Sequence, residues 1–283
     1  MELTRQEIES AAADVVARAL GEDIGLGDLT SRALFGPEEC CRATVLLKEQ
    51  GVVCGLSVAR AAFHRLDESM QLELLLEDGA LVGEAPRELV RLNGHTRAIL
   101  GAERVALNLL GRLSGIATLT RAFVAAVGGT GVAILDTRKT TPGLRALEKY
   151  AVQVGGGVNH RLGLYDAVLV KDNHLRLAGG IGEAVRRLRA SLRLPLEVEA
   201  ETIEQVDQAL ELGVERILLD NMSPLEVAAA VELVAARAQL EVSGGITLDN
   251  VRAYAETGVN AISVGALTHS ASSLDVSLEV LEA

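Results

Sequence analysis

From residue 132 onward the chain has a repeating rhythm. Short apolar runs occur at 132–135, 151–154, 167–170, 196–198, 216–219, 239–242 and 261–264. Between most of them lie stretches with helical spacing, such as "GIGEAVRRLRASL", "TIEQVDQALELG", "SPLEVAAAVELVAAR" and "TLDNVRAYAETG". Alternating β and α segments imply a parallel sheet. The close spacing of the later units favours a closed barrel. A regular α/β barrel has eight strands and the runs number seven, so an incomplete, seven-stranded parallel α/β barrel is expected over 111–269.

The pattern upstream is different. Residues 4–20 predict a helix, with Thr4 and Glu7 as a capping box and Ile8, Ala12, Val15, Val16 and Ala19 on one face. "GEDIGLGDLTS" then breaks it with three glycines, as a helix stop and a turn. "RATVLLKEQGVVCG", "MQLELLLEDGALV" and "RELVRLNG" predict short strands around a helix at "VARAAFHRL". This makes an α+β unit over 1–110. A long helical stretch from residue 95 carries a glycine interruption around Gly111–Gly115.

Composition narrows the function. The 283 residues are 49% apolar, enough for one large domain or two ordinary ones. No long uncharged apolar window suggests a membrane span, and "MELTRQEIES" lacks the features of a signal peptide, so a cytoplasmic protein is expected. Cys40, Cys41 and Cys54 read as reduced thiols. A net charge of −12 and 2% aromatics argue against nucleic-acid or membrane-surface binding. Yet Asp136–Arg176 holds seven lysines and arginines against four acids. Positive charge that concentrated suits a small anionic ligand.

Active sites of α/β barrels lie at the C-terminal ends of the strands. Here those ends carry Asp136, Arg138 and Lys139, then His160 and Arg161, then Lys171, Asp172 and His174. Glu199 comes next, then Asp220 and Asn221, then Ser243, Gly244 and Gly245, and finally Gly265. A single strand-end Asp is often a helix N-cap and a single Lys a surface charge. But the types are sorted: cations first, carboxylates next, glycine turns last. Helix capping alone would not sort them. "SGGI" and "VGAL" each come after a strand and are expected to precede a helix, an arrangement that binds phosphate through backbone N–H groups. Arginine holds a carboxylate through two parallel hydrogen bonds, so the cations point to a compact polyanion. Glu199 and Asp220 would repel it and must serve a metal, ribose hydroxyls or a developing cation. The residues alone suggest a phosphorylated sugar joined to a small polyanionic acid.

"GAERVALNLLGRLSGIAT", "DTRKTTPGLR", "EKYAVQVGGGVNHR", "VKDNH", "LLDN" and "SGGI", with "EDIGLGDLTS" before and "VGALTHSA" after, stand in an order that resembles the quinolinate phosphoribosyltransferases. The resemblance spans about residue 20 to residue 271, and its most specific part is 136–174. It implies transfer of phosphoribose from phosphoribosyl pyrophosphate to quinolinate, with decarboxylation to nicotinate mononucleotide, on the route to NAD. It implies magnesium and no organic cofactor. It also implies an N-terminal α/β sandwich, an incomplete barrel, and a tail, 270–283, that returns to the first domain. Carried over, Arg138, His160, Arg161, Lys171 and Arg104 would hold quinolinate, with Arg104 reaching the site of a partner in a homodimer or larger homo-oligomer. Lys139 would lie between quinolinate and pyrophosphate. Glu199 and Asp220 would face ribose and magnesium, and Ser243, Gly244, Gly245 and Gly265 would cradle the 5-phosphate. Lys139, Lys171, Glu199 and Asp220 are the expected catalytic set.

Three other readings stay open at this stage. A nicotinate phosphoribosyltransferase uses a related barrel for a substrate with one carboxylate, which the abundance of cations disfavours. A paralogue associated with molybdenum transport shares the motif pattern. A non-catalytic phosphate-binding barrel would leave the carboxylates and arginines without a purpose.

Overall fold

The structure, a computed structural model, describes residues 3–281. The outermost two residues at each end of the expected domain limits lie outside that range. In chain order, α1 (Arg5–Ile24) and α2 (Leu29–Leu34) precede β1 (Cys40–Leu47), β2 (Gly51–Val52), α3 (Leu56–Leu66), β3 (Gln71–Leu74), β4 (Leu81–Val82) and β5 (Arg87–His95). Then come α4 (Thr96–Ala126), β6 (Ala133–Leu135), α5 (Arg145–Val154), β7 (Val168–Val170), α6 (Asp172–Ala178), α7 (Ile181–Ser191) and β8 (Leu196–Ala200). The chain ends with α8 (Ile203–Glu211), β9 (Arg216–Asp220), α9 (Pro224–Val234), β10 (Gln239–Ser243), α10 (Val251–Ala255), β11 (Ala261–Ser263), α11 (Ala266–His269) and β12 (Val276–Leu281). It forms two bodies. Of the described residues, one holds 3–121, Thr140–Gly156 and 267–281; the other holds Ala122–Lys139 and Gly157–Ala266.

The first body is built on an antiparallel sheet in the order β12-β1-β5-β3, with a small β2-β4 pair. The C-terminal strand β12 runs along β1 from Arg42↔Leu281 to Leu47↔Val276. The Thr4 capping box forms, with the Glu7 N–H donating to Thr4 Oγ1 and the Thr4 N–H donating to the Glu7 carboxylate at 2.8 Å. The helix does not stop at Gly21. A helical glycine costs only about 1 kcal/mol, so α1 runs on to Ile24 and ends at Gly25, whose φ of 52° favours glycine. The "GDLTS" stretch beyond it is not a turn but a second helix, capped by Asp28 on the Ser31 N–H.

The glycines of α4 interrupt nothing. A Cβ on Gly111 would stand 2.6 Å from the carbonyl oxygen of Leu274, and one on Gly115 would overlap that of Ser272. They are glycine because the chain leading into β12 crosses the helix there. By length and composition α4 would suffice to cross a membrane. Here it is a core helix, with Ala102, Ala106, Leu110, Ile116 and Ala117 fully buried. The expected 110/111 domain limit falls inside it.

The second body is a parallel sheet in the order β6-β11-β10-β9-β8-β7. Its strands are six of the seven apolar runs. The seventh, 151–154, is instead the last turn of α5. "AVQV" looked like a strand because a short apolar run has no decisive period. In the fold its Ala151 and Val152 continue the helical stripe begun by Leu147. Val158 makes a single parallel bridge to Leu135, all that remains of a seventh strand.

The register positions the site. Glu197, Glu199, Leu218 and Glu241 fall on one face, because Glu197 pairs with Arg216, Glu199 with Leu218, and Leu218 with Glu241. The same parity carries Asp220, Ser243 and Ser263. Leu169 pairs with Glu197, so Lys171, two residues on, extends the same face just past the end of β7.

Candidate active site

The upper layer lies at the strand ends. Asp220, the last residue of β9, pairs with Ser243, the last of β10. Glu199 lies one step from the end of β8, buried, and accepts the Asp172 N–H at 3.3 Å. Lys171 Nζ stands 3.9 Å from the Glu199 carboxylate. Burial raises the pKa of Glu199, while the Asp172 N–H and Lys171 oppose the rise and Asp220 adds to it. Glu199, Glu201 and Asp220 can each turn one carboxylate oxygen to a common point, the three within 4.8 Å of one another. The sequence pointed to Glu199 and Asp220; Glu201 joins them because it lies two residues further along the same strand direction.

The cations form a second group. Arg161 is 9% exposed, and its pKa is lowered by burial and then by the charge of Arg138 beside it. Two guanidinium groups near enough for one charge to lower the other's pKa, one of them largely buried, make a site for an anion. Lys139 is next to Arg138 in the chain and is exposed. Asp136, a strand-end residue by sequence, is fully buried and has another task. It accepts the His160 N–H at 2.8 Å and the Asn159 side-chain amide at 2.6 Å, so it fastens the 159–161 segment to the end of β6.

His160 turns inward. Its Nε2 is 3.3 Å from Glu197 and 3.5 Å from Glu241, while Nδ1 accepts the Arg161 N–H at 2.7 Å. Burial opposes a charge on the ring, but hydrogen bonds with Glu197 and Glu241 outweigh it and raise its pKa to about 9. Nδ1 accepts the Arg161 N–H, which leaves Nε2 as the donor toward the two carboxylates. Burial and the Glu241 charge push the Glu197 pKa up, whereas His160 and Ser263 hold Glu241 down despite burial.

The glycine turns end adjacent strands. Gly244 has φ +98°, and a Cβ there would overlap the Asn221 side chain. "SGGI" does not open a helix, since α10 starts only at Val251. Asn250 folds the intervening residues into a turn of their own, accepting the Thr247 N–H and donating to the Gly245 carbonyl. Any phosphate binding at Ser243–Gly245 therefore falls to backbone amides of the turn. Gly265 leads directly into the short α11. Arg104 belongs to the other body, exposed on α4 and 3.5 Å from its neighbour Glu103.

Two family models cover nearly the whole chain: the quinolinate phosphoribosyl transferase N-terminal domain at residues 28–114 and its C-terminal domain at 116–279. The chain belongs to the quinolinate phosphoribosyltransferase family. It is 47% identical over 261 residues to the probable carboxylating nicotinate-nucleotide pyrophosphorylase of Bacillus subtilis, covering 92% of this chain and 90% of that one. The Mycobacterium leprae nicotinate-nucleotide pyrophosphorylase is 45% identical, over 95% of this chain and 97% of its own. The solved structure of nicotinate-nucleotide pyrophosphorylase from Ehrlichia chaffeensis superposes with a TM-score of 0.92 at 39% identity, covering 99% of this chain and all of that one.

Within this family member, sequence reasoning missed Glu197, Glu201, Glu241 and Ser263. The signal was available. "LEVEAE" alternates acid and apolar residues, so a strand there places Glu197, Glu199 and Glu201 on one face. "LEVS" does the same for Glu241 and Ser243.

Proposed function

We propose that this chain catalyses transfer of phosphoribose from phosphoribosyl pyrophosphate to the pyridine nitrogen of quinolinate, with loss of carbon dioxide, giving nicotinate mononucleotide and pyrophosphate for NAD synthesis. The observation that carries this reading is the division of one set of strand ends into a close arginine pair, Arg138 and Arg161, and an acidic group, Glu199, Glu201 and Asp220. A dicarboxylate suits the first, and a ribose that becomes cationic suits the second.

Arg138, Arg161 and Lys171 hold the two carboxylates, and Lys139 reaches toward the leaving pyrophosphate. The Ser243–Gly245 turn and Gly265 receive the 5-phosphate. Glu199, Glu201 and Asp220 offer only oxygen, a donor set that fits magnesium. Those residues would hold the ion, which would supply positive charge to the departing pyrophosphate. As the bond from C1 to pyrophosphate breaks, Glu199 and Asp220 stabilise the positive charge on the ribose. The pyridine nitrogen then gives its electron pair to C1, and the ring becomes cationic. The ring accepts the electron pair left when the adjacent carboxylate departs as carbon dioxide, and a proton takes its place on carbon.

The direct test supplies magnesium, phosphoribosyl pyrophosphate and either quinolinate or nicotinate. Nicotinate mononucleotide is expected from quinolinate only, with carbon dioxide released in equal amount. Product from nicotinate alone would overturn the reading.

We also propose that the working unit is a homodimer in which Arg104 serves the partner's site. Arg104→Ala and Lys171→Ala proteins are each expected to be inactive. After subunit exchange a mixture should recover up to about a quarter of wild-type activity, because half the dimers are hybrids with one intact site of two. No recovery, with exchange proven by mass-tagged subunits, would place Arg104 in its own chain's site or outside the reaction.

A further inference from the structure

One layer below the strand ends lies a polar cluster that the reaction scheme does not use. Glu197 on β8 and Glu241 on β10 are 5% and 1% exposed. Ser263 on β11 donates to Glu241 Oε1 at 2.5 Å. Both carboxylates face His160 Nε2. Burying two acids side by side on the inner face of a parallel sheet is costly, and apolar residues of the same size would be at least as stable there. The cluster therefore calls for a reason beyond stability.

The geometry points to one. We propose that Glu197 and Glu241, with Ser263 behind them, are positioning residues that hold the His160 ring and through it aim Arg161 at the dicarboxylate. This rests on the reading of the site given above. The 159–161 segment is held in two places. Asp136 holds its backbone and the Asn159 side chain. Glu197 and Glu241 hold the His160 ring, and the ring in turn accepts the N–H of Arg161. The ring is the link between the buried acids and the arginine backbone. The acids also offset charge, since Arg161 is repelled by Arg138 and attracted by Glu197.

The test is a double-mutant cycle read on both substrates. Glu241→Ala is expected to raise the KM for quinolinate about tenfold or more, with the KM for phosphoribosyl pyrophosphate within about twofold. Glu241→Gln keeps an oxygen available to Nε2 and should restore most of the loss. In a His160→Ala background, adding Glu241→Ala should cost less than about twofold, because the group it acts through is gone. A separate readout needs no substrate: the ¹⁵N shifts of His160 should show a hydrogen on Nε2 and an acceptor Nδ1 in the wild type, and a mixture of tautomers in Glu241→Ala. The proposal is overturned if Glu241→Ala costs as much without His160 as with it, if both KM values rise together, or if the ring shifts do not change. It is also overturned if the purified wild type carries a stoichiometric metal ion that Glu241→Ala lacks, since the cluster would then be a metal site. If the wild type fails to use quinolinate, the substrate reading falls and the imidazole shifts decide the positioning role alone.

Discussion

Replacing Arg138 with alanine is expected to weaken quinolinate binding by roughly 30- to 3,000-fold while leaving phosphoribosyl pyrophosphate binding within a few-fold. Arg138 lies close enough to the nearly buried Arg161 to lower its pKa. Two like charges in such surroundings are held together at a cost that an anion between them would offset. Removing one leaves a carboxylate of the ligand desolvated and without its partner, which costs about 2–5 kcal/mol. At about 1.4 kcal/mol per factor of ten, that gives the range stated. Arg138→Lys tests the geometry. It keeps the charge but loses the two parallel hydrogen bonds, so it should fall between the wild type and the alanine variant. Isothermal titration with each substrate alone decides the matter. Collapse of phosphoribosyl pyrophosphate binding with normal quinolinate binding would invert the assignment of the two ends of the site.

Arg138 was visible in the sequence because it breaks the chain's own pattern. A cationic cluster at the end of an apolar run, in a protein of net charge −12, has no explanation in packing. The parallel sheet was visible for a similar reason, since alternation of β and α segments leaves few topologies. The parts that were misread share a different property: their cause lies far away in sequence. Gly111 and Gly115 looked like a break in a helix, and the backbone at Ser272 and Leu274 is the reason for them. The run at 151–154 looked like a strand, and only the buried stripe from Leu147 makes it helical. The "SGGI" turn looked like the start of a helix until Asn250 proved to close its own turn on Gly245 and Thr247.

The site was legible at its rim and not at its floor. Lys171, Glu199, Asp220 and Ser243 stand at strand ends, where polar residues interrupt apolar runs and draw notice. Glu197 and Glu241 lie inside the runs, one level down, where an acid is easily taken for the outward residue of an alternating strand. Their register with Leu218 and Arg216 puts them on the same face as the rim residues. His160, placed among the ligand-binding cations by resemblance, is where the two levels meet.

Glu148→Ala is expected to destabilise the protein by about 3–5 kcal/mol, the cost of leaving one partner of a buried ion pair alone. Glu148 is fully buried on α5. Its Oε1 accepts from Arg112 Nη2 at 2.9 Å and from Thr141 Oγ1 at 2.8 Å, and its Oε2 accepts the Thr141 N–H at 3.0 Å. Arg112 in turn donates to the carbonyl oxygens of Thr268 and Ala271. Glu148 and Arg112 together therefore join α4, the segment that leaves Arg138 and Lys139, and the chain from α11 to Ala271. Alanine would leave Arg112 facing only carbonyl oxygens and would strip Thr141 of both its partners on Glu148. Glu148→Gln keeps the shape and one acceptor, and should cost about 1–3 kcal/mol, the worth of a hydrogen bond to a charged group. Urea unfolding of both variants checks the order and the size. If Glu148→Ala unfolds within about 1 kcal/mol of the wild type, the network is not what holds the "TRKTTPG" segment. The two substitutions also separate folding from chemistry. Glu148→Ala should lose activity in step with its folded fraction, whereas Arg138→Ala should remain folded and lose only its grip on quinolinate.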